Sequence, residues 1–204
     1  MRIRQHVNPM KSSYRERRVA ALELPADREV EVEIGCAEAW FLFDRAAQDS
    51  ARVEVGLEIR EELVAPVNAR ARREGRDVRA VFAHVNVDLE RLFAPRRVAR
   101  LFVNFPDPWF KRRHHKRRLL DDALVAAMAR VLRPGGELFF QSDVFDLTLD
   151  ALAVFEARAD LLVNQAGPWS FWKDGNPYAA RSRRDVQCEA EGVPIWRMLY
   201  RTTG

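Results

Sequence analysis

Cysteine is scarce: Cys36 and Cys188 are the only two among 204 residues. That is too few for the disulfide framework of a small secreted domain, and it points to a reducing compartment. Long apolar runs are missing too. No stretch approaches the ~18 consecutive apolar residues of a membrane-spanning helix. The first residues, Met1-Arg-Ile-Arg-Gln-His6, do not read as a secretory signal. A cytoplasmic protein with no membrane partner is therefore expected. No segment repeats and none is of low complexity. The chain also has no full Gly-rich triplet after a strand and no Lys-Ser/Thr behind one, which argues against a di- or triphosphate ligand. What is present is 48% hydrophobic, enough for a sizeable core, so neither disorder nor a staple-dependent miniprotein fits. At this length one domain is the default.

Thirty-four Lys and Arg against 30 Asp and Glu give a formal charge of +4. The excess is local. Lys111-Arg-Arg-His-His-Lys-Arg-Arg118 holds six fixed positive charges and no acid, and the rest of the chain has 28 basic and 30 acidic residues. One octapeptide makes the protein basic, which indicates a polyanionic partner.

Residues 1–28 read as an irregular basic arm, and residues 29–204 as a single domain. Val30 to Ile34 alternates with β-branched residues and predicts a strand, closed at Gly35 and followed by a helix over 38–47. A second strand over 52–58 leads to a helix over 60–74, stopped by Gly75 and blemished by Pro66. The pattern then predicts a strand over 78–84 and a short helical piece over 88–93. Val98 to Phe105 is almost continuously apolar, as in a strand buried on both faces of a parallel sheet. A helix over 119–132, a tight turn at Arg133-Pro-Gly-Gly136, a strand over 137–142 and a helix over 145–157 follow. Strands over 160–164 and 194–201 close the chain, and the Trp-, Gly- and Pro-rich segment between them reads as a functional loop. This alternation predicts an open α/β sheet with helices on both faces.

In such sheets ligands bind beyond the carboxyl ends of the strands. The first strand ends in Glu33-Ile-Gly-Cys-Ala-Glu-Ala39, where Gly35 allows a sharp turn into a helix and Ala37 still lets a ligand approach the main chain. Glu58, at the end of the second strand, has a carboxylate able to accept from both ribose hydroxyls of a nucleoside. Either acid alone is as readily an exposed strand end; the pair at matching ends favours a site. Asn86, at the end of the third strand, is a candidate for a nucleobase edge, or else a turn residue.

Asn104-Phe-Pro-Asp-Pro-Trp109 is the most informative stretch. Asp107 stands between two prolines at the tip of a buried strand, pre-positioned with little freedom to lose on binding. A carboxylate there is able to grip the N1–H and amino edge of guanine. Trp109 either stacks on a base or caps the core. The basic octapeptide directly behind this rigid turn is read as phosphate-binding through Arg112, Arg113, Lys116, Arg117 and Arg118.

Phe105 to Arg118 resembles the signature of the tRNA (guanine-N7)-methyltransferases. Glu33-Ile-Gly35, Gly56-Leu-Glu58, Arg133-Pro-Gly-Gly136 and Ser142-Asp143 follow in that family's order and spacing. Ser182-Arg-Arg-Asp185, ahead of Gly192 and Trp196, lies on its Thr-Lys-Phe-Glu element, similar but not identical. The resemblance covers residues 30–201. It implies a Rossmann-like class I methyltransferase fold with a mostly parallel twisted sheet and an antiparallel C-terminal strand. It further implies S-adenosylmethionine as cofactor, tRNA as partner, a variable-loop guanine as target and a monomer or homodimer, with no metal. On the same ground Glu33, Gly35, Glu58, Asn86 and Asp107 line the cofactor, and Asp107 is the catalytic residue. Lys111, Asp143, Ser182, Arg183 and Asp185 hold the substrate. Two glycines of the family's loop are Ala37 and Ala39 here, and each Cβ narrows it. The competing readings are a methyltransferase for another nucleobase and a non-catalytic RNA-binding protein on a degenerate fold.

Overall fold

A computed structural model describes residues 8–9, 13–16, 19–110 and 118–203. The elements run α1 (Ser13–Glu16), β1 (Val30–Ile34), α2 (Trp40–Gln48), β2 (Val53–Glu58), α3 (Glu61–Glu74), β3 (Val78–Phe82), α4 (Val85–Leu92) and β4 (Val98–Asn104). They continue with α5 (Asp122–Val131), β5 (Leu132–Ser142), α6 (Phe145–Glu156), β6 (Leu162–Asn164), α7 (Arg183–Glu191) and β7 (Trp196–Thr202). The strands form one seven-stranded sheet in the order β3-β2-β1-β4-β5-β7-β6. β1 to β5 pair in parallel, and β7 runs against both β5 and β6. The strand order reverses between β1 and β4, which is where an open α/β sheet parts its flanking loops and leaves a crevice.

The two faces are covered by different helices because side chains alternate along each strand. Val30, Val32 and Ile34 of β1 join Leu101 and Val103 of β4 against Leu89 of α4, Val125 and Met128 of α5 and Leu152 of α6. On the other face Phe102 and Phe139 meet Phe41 and Leu42 of α2 and Val67 of α3. The alternating Val-Glu-Val-Glu-Ile of β1 is buried at all five positions. Glu31 survives there because Arg45 holds it through two hydrogen bonds (2.8 and 2.7 Å) and Arg100 through a third (2.6 Å).

Several boundaries differ from the sequence expectation. α4 begins at Val85, so Asn86 lies in its first turn rather than at the end of a strand. Asp88 accepts from the His84 N–H (2.9 Å) and ties down that turn. Pro66 does not interrupt α3: it is exposed, so the helical carbonyl it leaves without a partner meets water. The Arg133–Gly136 turn falls inside β5 as an irregularity opposite Val98 and Arg100. Gly136 is required there, since a Cβ would come within 2.7 Å of the Arg133 carbonyl oxygen.

The segment after β6 is pinned to the sheet and contains a helix. Tyr178 is buried against Phe102 and Phe139 (ring centroids 4.9 and 5.2 Å), and Trp172 bridges to Arg197 of β7 (2.8 Å). α7 then starts on a capping box in which Ser182 and Asp185 satisfy each other's backbone, and stops at Gly192 in the left-handed region (φ 67°). The described part of the N-terminal segment lies along the edge of the domain: Val19, Leu22 and Leu24 pack on the core and the Leu22 N–H donates to the Leu92 carbonyl (2.9 Å). Among the described residues, no helix is long and apolar enough to cross a membrane.

Candidate active site

The crevice between the carboxyl ends of β1 and β4 opens into a cavity of about 890 Å³. Glu33, Gly35, Glu58, Asn86, Asp107, Arg118, Ser182 and Arg183 all line it, although they come from six different stretches of chain. Gly35 turns the chain out of β1 at φ 76°, its N–H held by the Leu57 carbonyl (2.8 Å). Ala37 and Ala39 then adopt φ 49° and 58°, left-handed geometry that glycine takes without cost and alanine does not. The Cβ atoms of the two alanines are thus accommodated by local backbone strain. Gly56 has a separate reason to be glycine: a Cβ there would sit 2.4 Å from the Cys36 sulfur. Cys36 is buried, and burial pushes its thiol well above the usual range, so it is a packing residue.

Glu58 organises the rim. One oxygen accepts from the Ala37 N–H (2.8 Å) and from an Arg60 terminal nitrogen (3.1 Å); the other accepts from the Arg60 backbone N–H and Nε (both 2.9 Å). Burial works against the charge of Arg60, yet its hydrogen bonds to Glu58, the charge of Glu58 and the nearby Glu38 and Asp107 push its pKa above that of a free guanidinium. Arg60 was not singled out from sequence; its signal is a cation two residues past a strand-terminal acid.

Glu33 is the most perturbed acid of the cavity. Burial, with the charges of Asp185 and Glu58, pushes its carboxyl up to about 8 against the hydrogen bond from Asn104. Asn104 Nδ2 donates to one carboxyl oxygen (2.8 Å), and the other is buried with no hydrogen-bond partner among the described residues. A buried oxygen left in this way is available to a hydrogen-bond partner from outside the chain.

On the opposite wall Phe105 and Trp109 both take positive φ (50° and 45°), bracketing Pro106-Asp107-Pro108 and turning Asp107 into the cavity. Arg118 braces this turn: its Nε donates to the Pro108 carbonyl (3.1 Å), and its guanidinium pairs with Asp150, leaving the side chain 11% exposed. A phosphate would have to compete with Asp150 for it. Asn86 donates to the Leu119 carbonyl (3.1 Å) at the exposed edge. Asp143 does not line the cavity and is held by Arg184 (2.5 Å). Asp185 lies beneath the floor, fully buried, accepting from the Ser182 N–H and hydroxyl (2.9 and 2.7 Å). Lys111, Arg112, Arg113, Lys116 and Arg117 fall outside the described residues.

Residues 27–198 match the family model described as "Putative methyltransferase". A tRNA (guanine-N(7)-)-methyltransferase of Synechococcus sp. (strain CC9311) is 35% identical over 98% of this chain and 88% of its own length. The enzyme of the same name from Synechocystis sp. (strain ATCC 27184 / PCC 6803 / Kazusa) is 34% identical over 100% and 98%. The chain belongs to the tRNA (guanine-N7)-methyltransferase family. Its fold is also that of more distant methyltransferases. The antibiotic-resistance methyltransferase Kmr superposes with a TM-score of 0.61 at 20% identity, covering 88% of this chain and 89% of that one. The 30S ribosomal A1408 methyltransferase from an uncultured bacterium gives 0.57 at 11%, covering 87% and 89%. Within the family frame, the Pro-Asp-Pro turn and the β1 loop face one another across a single cavity.

Proposed function

We propose that this chain transfers a methyl group from S-adenosylmethionine to N7 of a guanine in tRNA, with the guanine in the variable loop. The observation that carries the proposal is the single cavity joining the acids at the ends of β1 and β2 to the rigid Asp107 turn and the start of α7. Glu33, Gly35 and Glu58 are suited to hold the cofactor. The buried, unpartnered oxygen of Glu33 matches a cationic donor, Gly35 leaves open space above the turn, and Glu58 matches a diol once it shares its Arg60 hydrogen bonds. Bound there, S-adenosylmethionine supplies a methyl carbon activated by the neighbouring sulfonium charge.

The chain itself has little proton chemistry to perform. Guanine N7 offers a lone pair and no proton, so no general base is needed; the task is to align N7 with the methyl carbon and sulfur. Asp107, stiffened by two prolines, orients the guanine and stabilises the positive charge that grows on the purine. Asn86 borders the adenine side. Ser182 and Arg183 hold the substrate from α7, with Asp143, Asp185 and Lys111 assisting, and Arg112, Arg113, Lys116 and Arg117 meet RNA phosphates. Arg118 acts by bracing the Asp107 turn.

The test is incubation with methyl-labelled S-adenosylmethionine and unmodified tRNA, followed by borohydride and aniline cleavage. Label in tRNA and scission at one variable-loop guanine are expected. No incorporation, together with no binding of S-adenosylhomocysteine by calorimetry, would overturn the reading in favour of a non-catalytic RNA-binding protein; label without scission would mean another nucleobase atom.

A further inference from the structure

Under the cavity floor runs a continuous file of buried polar side chains. Arg197 Nε, on β7, donates to Gln141 Oε1 on β5 (3.1 Å). Gln141 Nε2 donates both to Asn104 Oδ1 on β4 (2.9 Å) and to Asp185 Oδ2 at the start of α7 (3.0 Å). Asn104 Nδ2 donates to Glu33 on β1 (2.8 Å). Gln141 is fully buried and Asn104 is 9% exposed, positions where an apolar side chain would fill the same space without desolvating an amide. The orientation is forced. A guanidinium only donates, so Gln141 turns its oxygen to Arg197 and its NH2 inward, and Asn104 must then turn its NH2 to Glu33. The dipoles therefore run head to tail from a cation to an acid, an arrangement in which each bond polarises the next.

The file touches both halves of the site, through its terminal acid Glu33 and through the branch from Gln141 to Asp185. The second oxygen of Glu33 is buried without a hydrogen-bond partner among the described residues, and Asp185, on the branch, has an equally orphaned Oδ1 and an Oδ2 that clamps the Ser182 cap. Arg197 approaches that Oδ1 only at 3.6 Å. We propose that Asn104, Gln141 and Arg197 are positioning residues that couple the cofactor acid Glu33 to the substrate-holding start of α7, so that filling one half of the cavity tightens the other. A donor placed on Glu33 draws its charge away from Asn104, so Asn104 Oδ1 becomes a poorer acceptor, and Gln141 Nε2 gives more of its donation to Asp185 and settles it under Ser182. The inference rests on the function proposed above.

Calorimetry separates the two. The affinity of the full-length protein for S-adenosylhomocysteine is measured without and with saturating unmodified tRNA. The wild type is expected to bind the cofactor product about fivefold or more tightly with tRNA present. Gln141→Met, matched in size and unable to donate, is expected to hold each ligand alone within about threefold of wild type while the tightening falls below about twofold. Arg197→Gln, at the head of the file where the side chain is 15% exposed, should lose the tightening as well, and decides the matter if the fully buried variant does not fold. Retained tightening in a folded variant, absent tightening in the wild type, or loss of either ligand alone in a folded Gln141→Met protein would each overturn the coupling. A wild type that binds neither ligand would overturn the proposed function and the coupling with it.

Discussion

In the proposed mechanism Asp107 acts through position rather than through proton transfer. Its neighbours Pro106 and Pro108 and the positive φ of Phe105 and Trp109 hold it in one place, so its worth is realised in the transition state. Asp107→Ala is expected to lower single-turnover methyl transfer by at least about a hundredfold with tRNA affinity changed less than about threefold; a loss confined to affinity would refute this role. Glu33 makes a different kind of statement. Burial raises its carboxyl from 4.5 to about 8, so the folded chain keeps a proton that the unfolded chain releases between those values. The sign follows: this residue's contribution to stability is fully present below pH 4.5 and is lost as pH rises to about 8. Urea midpoints from pH 5 to 8.5 should fall less steeply in Glu33→Gln than in the wild type, with the variant gaining about 1 kcal/mol or more relative to its parent across that range. Parallel slopes would show that Glu33 titrates as an ordinary surface acid.

Among the elements, the loop from β1 to α2 and helix α7 teach opposite lessons. The loop was legible from Glu33-Ile-Gly35, and its two alanines fall where the backbone is left-handed. Left-handed geometry costs an alanine about 1–2 kcal/mol, against about 0.5–1 kcal/mol of extra chain entropy lost by a glycine. Ala37→Gly is therefore expected to stabilise the protein by about 0.5 kcal/mol. Ala39→Gly gains nothing, because the Ala39 methyl is completely buried and its removal costs about 0.8 kcal/mol. Thermal denaturation of the two variants checks the contrast, which fails if both shift alike. Helix α7, by comparison, lay hidden in a segment whose Trp, Pro and Gly content reads as loop. Its markers were there: Ser182 three residues before Asp185, and Gly192 after the last turn. Only two of its residues, Asp185 and Cys188, are buried, so no apolar stripe announced it.

At the scale of the whole molecule, charge is used in two ways. Inside, Glu31 is neutralised by Arg45 and Arg100, and Arg45 also donates to the Tyr178 carbonyl (3.1 Å), tying the segment before α7 to the sheet. Arg45→Met should cost about 3 kcal/mol in urea denaturation, since it strands a buried acid with one partner fewer; a loss under 1 kcal/mol would mean Arg100 alone suffices. The surplus of positive charge lies elsewhere in the sequence, in residues 111–118. Replacing Arg112, Arg113, Lys116 and Arg117 with Ala is expected to lower the slope of log affinity for tRNA against log salt by about 3. Arg118→Ala should leave that slope unchanged and slow transfer instead, as its guanidinium serves Asp150 and Pro108. Equal slopes in both variants would remove the octapeptide from the phosphate interface.

Local chemistry was enough to determine the strands, the Gly35 turn, the rigid Asp107 and the basic octapeptide, because alternation, proline geometry and charge density are properties of neighbouring residues. Tertiary structure decided everything that depends on distant residues meeting. Asn104, Gln141 and Arg197 look like the polar ends of apolar strands, and only the sheet order brings Asn104 within 2.9 Å of Gln141 and Gln141 within 3.1 Å of Arg197. The fate of each charge was decided there too. Arg118 turned inward and Glu31 became buried because other strands and helices supplied their partners, and a partner contributed by a crossover leaves no mark in the local sequence.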